Sequence, residues 1–157
     1  MRESCRAVIF KDDKLLLIYR EREENIYYVF PGGGIEQGET KEECIKRECM
    51  EELGITVNPL KSLYKVKTNF KGCDFLHHIY LCEWIEGELG TGYDHEYDIN
   101  RIGGLQKPVL IDIHDISTLN VVSKPLADQL LKDIQEYGQI LDDETKEIIE
   151  NRDKEDE

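Results

Sequence analysis

"GGIEQGETKEECIKRECMEELGI", residues 33–55, packs seven glutamates and only three basic side chains into 23 positions. Like charges one turn apart destabilise the helix that carries them, so the crowding needs a reason. The punctuation of the stretch is that of a helix with fixed ends. Thr40 with Glu43 three residues on makes a capping box, and Gly54 stands where a left-handed C-terminal cap belongs. The spacing predicts one helix over Lys41–Leu53. Just before it, the loop "PGGG", Pro31–Gly34, excludes continued regular structure through its proline and three glycines.

Around this helix, with Ile45 as origin, Cys49 and Leu53 fall at about 40° and 80°, Glu52 at about −20°, Glu48 at about −60° and Glu51 at about −120°. Three carboxylates therefore share a sector beside the apolar stripe. A glutamate-rich helix is ordinarily a solvated face, but a stripe that must pack places this cluster at the lip of a pocket. A hard, oxygen-seeking cation such as Mg²⁺ or Mn²⁺ would relieve the repulsion. Arg47, four residues after Glu43 and four before Glu51, can bridge and orient carboxylates at helical spacing. The glycines ahead of the helix let backbone approach a ligand closely.

Working outward, "CRAVIF", "KDDK" and "LLLIY" read as two strands joined by a tight turn, and "IYYVF" as a third strand ending at Pro31. Beyond the helix, "ITVNPLKSLYKVKTNF" and "CDFLHHIYLCEWI" alternate as two longer strands. "EGELGTGYDHEYDINRIGG" lacks periodicity and reads as a long loop, and "PVLIDI" as a sixth strand. "SKPLADQLLKDIQEYG" is a second helix, with Ser123 as N-cap and Leu126, Leu130, Leu131, Ile134 and Tyr137 on one face. Strands mixed with two separated helices imply an α/β sheet covered on both faces.

The 157 residues suit one domain, expected over 1–141, followed by an acidic tail over 142–157 whose nine acids and three bases suggest a frayed helix or solvated segment. A formal charge of −14 argues against direct binding of a nucleic acid polymer or an anionic membrane. A phosphate-bearing partner would need a cation between it and the protein. Cys5, Cys44, Cys49, Cys73 and Cys82 form no Cys-x-x-Cys pair and are odd in number, which suits reduced thiols packed as small core residues. No apolar run approaches the ~18 residues of a membrane span, and polar residues follow Met1. A cytoplasmic location is expected.

Gly33, Glu39, Arg47-Glu48-Cys49 and Glu51-Glu52-Leu53-Gly54-Ile55 stand at the spacings of a known signature. They resemble the Nudix box, G-x5-E-x7-R-E-U-x-E-E-x-G-U with U aliphatic, and every fixed position is present. Cys49 in place of the first aliphatic residue is the one departure, and a cysteine is still a small buried hydrophobe. The resemblance implies an α/β fold, a Nudix-like α/β/α sandwich with a mixed β-sheet and a loop-helix-loop motif. It also implies metal-dependent hydrolysis of a nucleoside diphosphate linked to a moiety X.

By the same resemblance Glu48 and Glu52 are the main ligands of Mg²⁺ or Mn²⁺, Glu51 is a further ligand or base, and the carbonyl of Gly32 is another ligand. Arg47 holds the box glutamates, with Glu39 in a supporting or ligand role. Some members take a general base from a loop outside the box; Glu83, Glu86, Glu88 and Glu96 are eligible, and Glu96 is preferred for its long, Gly-rich, aromatic-flanked loop. Gly33 and Gly34 offer backbone to the substrate, and Tyr28 a stacking face, with Phe30, Phe75, Trp84, Tyr93 and Tyr97 as other aromatic candidates. ADP-ribose members tend to carry a proline shortly after the box, and none lies between Pro59 and Pro108. A nucleoside triphosphate, canonical or damaged, is then the expected small-molecule partner. A nucleotide sugar, a dinucleoside polyphosphate or a nucleotide-sensing role are the alternatives, and a homodimer is left open.

Overall fold

The computed structural model describes residues 1–90, 105–137 and 146–151. Strands β1 (Arg2–Lys11) and β2 (Lys14–Arg22) form the expected hairpin, with Asp12 in the left-handed region (φ 57°) that aspartate tolerates. They pair only at the tip, Phe10 with Leu15 and Lys11 with Lys14, and then diverge. β2 pairs antiparallel with β3 (Asn25–Val29) and with β7 (Leu105–Asp112). β1 runs parallel to β6 (Cys73–Gly87), from Arg2 opposite Phe75 to Ile9 opposite Cys82. β5 (Ile55–Phe70) and β6 form a long hairpin whose turn residues Lys71 and Gly72 both have positive φ, the twist that suits right-handed strands.

Helix α1 spans Lys41–Leu53 as predicted, with Thr40 accepting the Glu43 amide and Gly54 at φ 78°. Helix α2 spans Lys124–Tyr137, and its Leu126 amide lies 3.4 Å from Ser123 Oγ. The helices cover opposite faces. Cys44, Ile45, Cys49 and Leu53 of α1 pack with Cys5, Ala7 and Ile9 of β1; Leu126, Ala127 and Leu130 of α2 pack with Val8, Val66 and Ile79. Alternation along β1 thus feeds two cores from one strand. Each buried Ile or Leu contributes roughly 1.5–3 kcal/mol, against the roughly 0.2–0.5 kcal/mol lost per like-charge pair, so burial of Ile45 and Leu53 holds α1 helical despite its glutamates. The buried Tyr64 hydroxyl also donates to Asp133 of α2, which accepts from Gln129 at 3.0 Å. The whole is a mixed sheet with helices, the α/β architecture expected.

The structure corrects four expectations. Gly32–Gly34 is a short strand, β4, paired antiparallel with Ser4–Arg6; an unpaired edge of β1 supplies the hydrogen bonds that glycine side chains could not signal. Part of the acidic tail, Lys146–Asn151, is strand β9, parallel to β5, with Ile148 and Glu150 buried. Cys73 is exposed while the other four cysteines are buried. The sixth strand begins at Leu105, three residues before the expected start. A 3-10 turn (Ile113–Thr118) and the two-residue strand β8 (Val121–Val122) complete the described elements. No described helix is long and apolar enough to cross a membrane.

Candidate active site

Arg47 organises the loop and the helix. Its Nε and Nη2 donate to the two oxygens of Glu39 at 2.7 and 3.0 Å, a bidentate fork. Its Nη1 donates to Glu48 at 2.9 Å and to Glu51 at 3.2 Å, and Nη2 also donates to the carbonyl of Gly34 at 3.0 Å. The bridge to Glu51 is the one the spacing suggested; Glu39 and Glu48 take the place expected of Glu43. The fork pulls the Glu39 carboxyl down to about 2, with the Glu36 amide at 3.0 Å assisting. The same contacts push the Arg47 guanidinium up.

Glu52 points the other way. It is only 5% exposed and accepts the Gly32 amide at 3.3 Å. Bare backbone is a requirement here: a Cβ at Gly33 would stand 2.4 Å from Glu48 Oε1, and one at Gly32 (φ 145°) would stand 2.0 Å from the Cys5 carbonyl. Cys44 Sγ, at 3.6 Å from the carbonyls of Gly33 and Gly34, fastens β4 to the helix. Burial raises the Cys49 thiol well above its ordinary range and pushes Cys82 up to about 12, so both pack as neutral hydrophobes.

The structure therefore brings together Glu39, Arg47, Glu48, Glu51, Gly33 and Gly34, with Glu52 and Gly32 joined beside them. Among the described residues no three His, Cys, Asp or Glu side chains stand in the geometry of a bound metal ion. Three of the box carboxylates, Glu39, Glu48 and Glu51, lean to Arg47 and the fourth, Glu52, to the Gly32 amide. Glu96, Tyr93 and Tyr97 lie outside the described residues. Glu83, Glu86 and Glu88 are exposed. Tyr28 packs edge-on against Tyr19, ring centres 5.6 Å apart, on the α2 side of the sheet. His78 is buried beside Glu3, and His77 lies between the hydroxyls of Ser4 and Thr68.

Where β1 and β2 part, the wedge between them holds a cavity of about 230 Å³, lined by Arg6, Arg20, Tyr27, Phe30 and His77 among others. Arg6 Nη1 donates to the carbonyls of Phe30 and Gly32, each at 3.1 Å, so Gly32 stands between this cleft and Glu52. The sequence reading named Phe30 but missed Arg6, Arg20 and Tyr27. Parity gives no signal for Arg6 and Arg20, because β1 and β2 bury residues on both faces and Arg22, two places beyond Arg20, is exposed.

Comparison with known proteins follows the same line. The family model described as NUDIX domain matches residues 1–121. The NAD-capped RNA hydrolase NudC of Vibrio cholerae is 27% identical over 128 residues, 82% of this chain and 45% of that protein. The ADP-ribose pyrophosphatase of Methanocaldococcus jannaschii is 33% identical over 105 residues, 61% of each chain. The chain thus spans less than two thirds of the length of these relatives. The solution structure of the E. coli ORF135 protein superposes with a TM-score of 0.69 at 20% identity, over 90% of this chain and 95% of that one, a likeness of fold.

Proposed function

The chain belongs to the NUDIX family, and we propose that it is a hydrolase that cleaves the diphosphate linkage of a nucleoside triphosphate, canonical or damaged. The observation that carries this reading is the complete set of box side chains, Glu39, Arg47, Glu48, Glu51 and Glu52, gathered on one helix and its leading loop beside side-chain-free glycine backbone. Degenerate boxes lose glutamates, and this one keeps them all.

Nudix hydrolases use divalent metals, and the donor set here suits one. All the donors are carboxylate or carbonyl oxygens, the choice of a hard cation such as Mg²⁺ or Mn²⁺. Glu48 Oε2 and Glu51 Oε1 take no part in the Arg47 contacts, which use the opposite oxygens. Glu48, Glu51 and Glu52 with the Gly32 carbonyl would hold the ion, and Glu39 would support them through Arg47. A divalent cation there supplies charge neutralisation for the diphosphate and a more acidic bound water.

The chain's own groups supply the rest. Arg47 fixes the Glu39, Glu48 and Glu51 carboxylates in one orientation. The Gly32 amide holds Glu52, and the bare backbone of Gly33 and Gly34 admits phosphate oxygens without a side chain in the way. Glu51, or Glu96, which lies outside the described residues, accepts the proton of the attacking water. Among the described residues Tyr27 and Phe30, and not Tyr28, line the cleft, while Tyr28 packs against Tyr19.

The test is phosphate and pyrophosphate release over nucleoside triphosphates, dinucleoside polyphosphates, ADP-ribose and nucleotide sugars, with Mg²⁺ or Mn²⁺. Turnover of triphosphates that stops with EDTA is the expected result. Turnover confined to another class would replace the substrate, and activity indifferent to EDTA would sink the metal assignment.

A further inference from the structure

Four of the cysteines, Cys5, Cys44, Cys49 and Cys82, are buried in the core beneath α1. We propose that Cys5 and Cys44 are a site of oxidation by hydroperoxides, where a disulfide forms and weakens the carboxylate cluster's hold on its cation. The second half of this rests on the cation lying at α1, as argued above. Cys5, on β1, stands opposite Gly33 of β4. Cys44, in the first turn of α1, has its Sγ 3.6 Å from the carbonyl of that same Gly33 and from that of Gly34. The two side chains thus meet beside one glycine, and their thiols are hydrogen-bonded to each other. Sulfurs already in contact need little movement to bond.

Access favours Cys44 as the sulfur that reacts first. It touches a strand made only of glycine, and at the exposed Gly34 an added Cβ would meet nothing within 4 Å, so that strand is open on its outer side. The Cys44 sulfur attacks one oxygen of hydrogen peroxide as its own proton leaves; an S–O bond forms, the O–O bond breaks, and the other oxygen departs as water. The Cys5 sulfur then attacks the sulfenic sulfur, the S–S bond forms, the S–O bond breaks and a second water leaves. Two thiols lose two electrons, and one peroxide is reduced to two waters. The effect reaches the site through short contacts. Cys44 Sγ also lies 3.8 Å from Arg47 Nη2, and Gly33 has no room to shift toward Glu48. A bond to Cys5 draws Cys44 away from the two carbonyls and from Arg47, the residue that holds Glu39, Glu48 and Glu51.

Reduced wild-type protein is treated with hydrogen peroxide, digested without reductant and mapped by mass spectrometry, and Mn²⁺ binding is measured before and after. The expected product is a peptide pair joined through Cys5 and Cys44. Mn²⁺ affinity should fall at least about tenfold on oxidation, as when the support of a metal ligand is lost, and return with dithiothreitol. Cys5→Ala should bind Mn²⁺ as reduced wild type does, yield no such pair, and let dimedone trap Cys44 as its sulfenic acid. Cys82→Ala removes another buried thiol and should leave both the pair and the fall in affinity unchanged. No cross-link, a cross-link between other cysteines, or a Cys5–Cys44 pair that leaves Mn²⁺ affinity intact overturns the proposal. The map is made on wild type, so it decides even where a variant fails to fold. A protein that shows the pair and the fall in affinity but hydrolyses no nucleotide would defeat only the hydrolase reading.

Discussion

The carboxylate cluster of α1 and the arginine-lined cleft stand on either side of Gly32, and they settle charge by different means. At α1, one guanidinium serves Glu39, Glu48 and Glu51 together, and negative charge still outnumbers positive. In the cleft, Arg6 and Arg20 stand among apolar and aromatic side chains, and no carboxylate is among the described lining residues. The difference is one of ion pairing: α1 gathers more acid than its arginine neutralises, and the cleft sets its arginines beside apolar and aromatic side chains.

The sharpest break in that contrast comes from Glu52→Gln. The substitution keeps size and the contact with the Gly32 amide while removing the charge, so turnover should fall to background while the melting temperature stays within a few degrees of wild type. Retained activity would remove Glu52 from the metal site and with it the asymmetry between the two regions.

A smaller effect is expected from Gly33→Ala. The added carbon would displace Glu48, which Arg47 holds, and activity should drop about 10- to 100-fold, as when the support of a metal ligand is lost. Gly34→Ala meets nothing within 4 Å, and its thermal stability should match wild type within about 0.5 kcal/mol. If the two alanines behave alike in thermal melts and in assay, the close approach at Gly33 has no role.

The smallest change is in the acid limb of stability. The Glu39 carboxyl falls from 4.5 to about 2 on folding, so it contributes stability above pH 4.5 that is lost as pH drops toward 2. Glu39→Gln should therefore be less stable than wild type near neutrality, and the gap should close across that window in pH-dependent urea melts. A gap that stays constant with pH would mean that Arg47 does not hold Glu39 in its ionised form.

Much of this was legible in the sequence, and the rest was hidden for identifiable reasons. The ends of α1 came out to the residue because Thr40 and Gly54 act locally, through one hydroxyl and one left-handed φ. β4 was invisible because glycine offers no alternation to read; its pairing depends on the edge that β1 leaves beside it. The carboxylates of the box could be placed on one helix face, but not the division between those that lean to Arg47 and the one that leans to Gly32, which is decided by contacts across the loop. The cleft was overlooked because Arg6 is one charge in an apolar strand and Arg20 opens the charged run Arg20–Glu24, and what brings them together is the divergence of β1 and β2.

β9 has a meaning beyond the contacts of Ile148. β5 is a sixteen-residue strand at the end of its half-sheet, and six of its residues, Tyr64–Asn69, pair with Lys146–Asn151. An open edge of that length is a template on which other chains can add strands. Residues 146–151, which composition assigns to solvent, thus cover part of that edge with the chain's own backbone and bring the exposed, charged Glu147 to the new border.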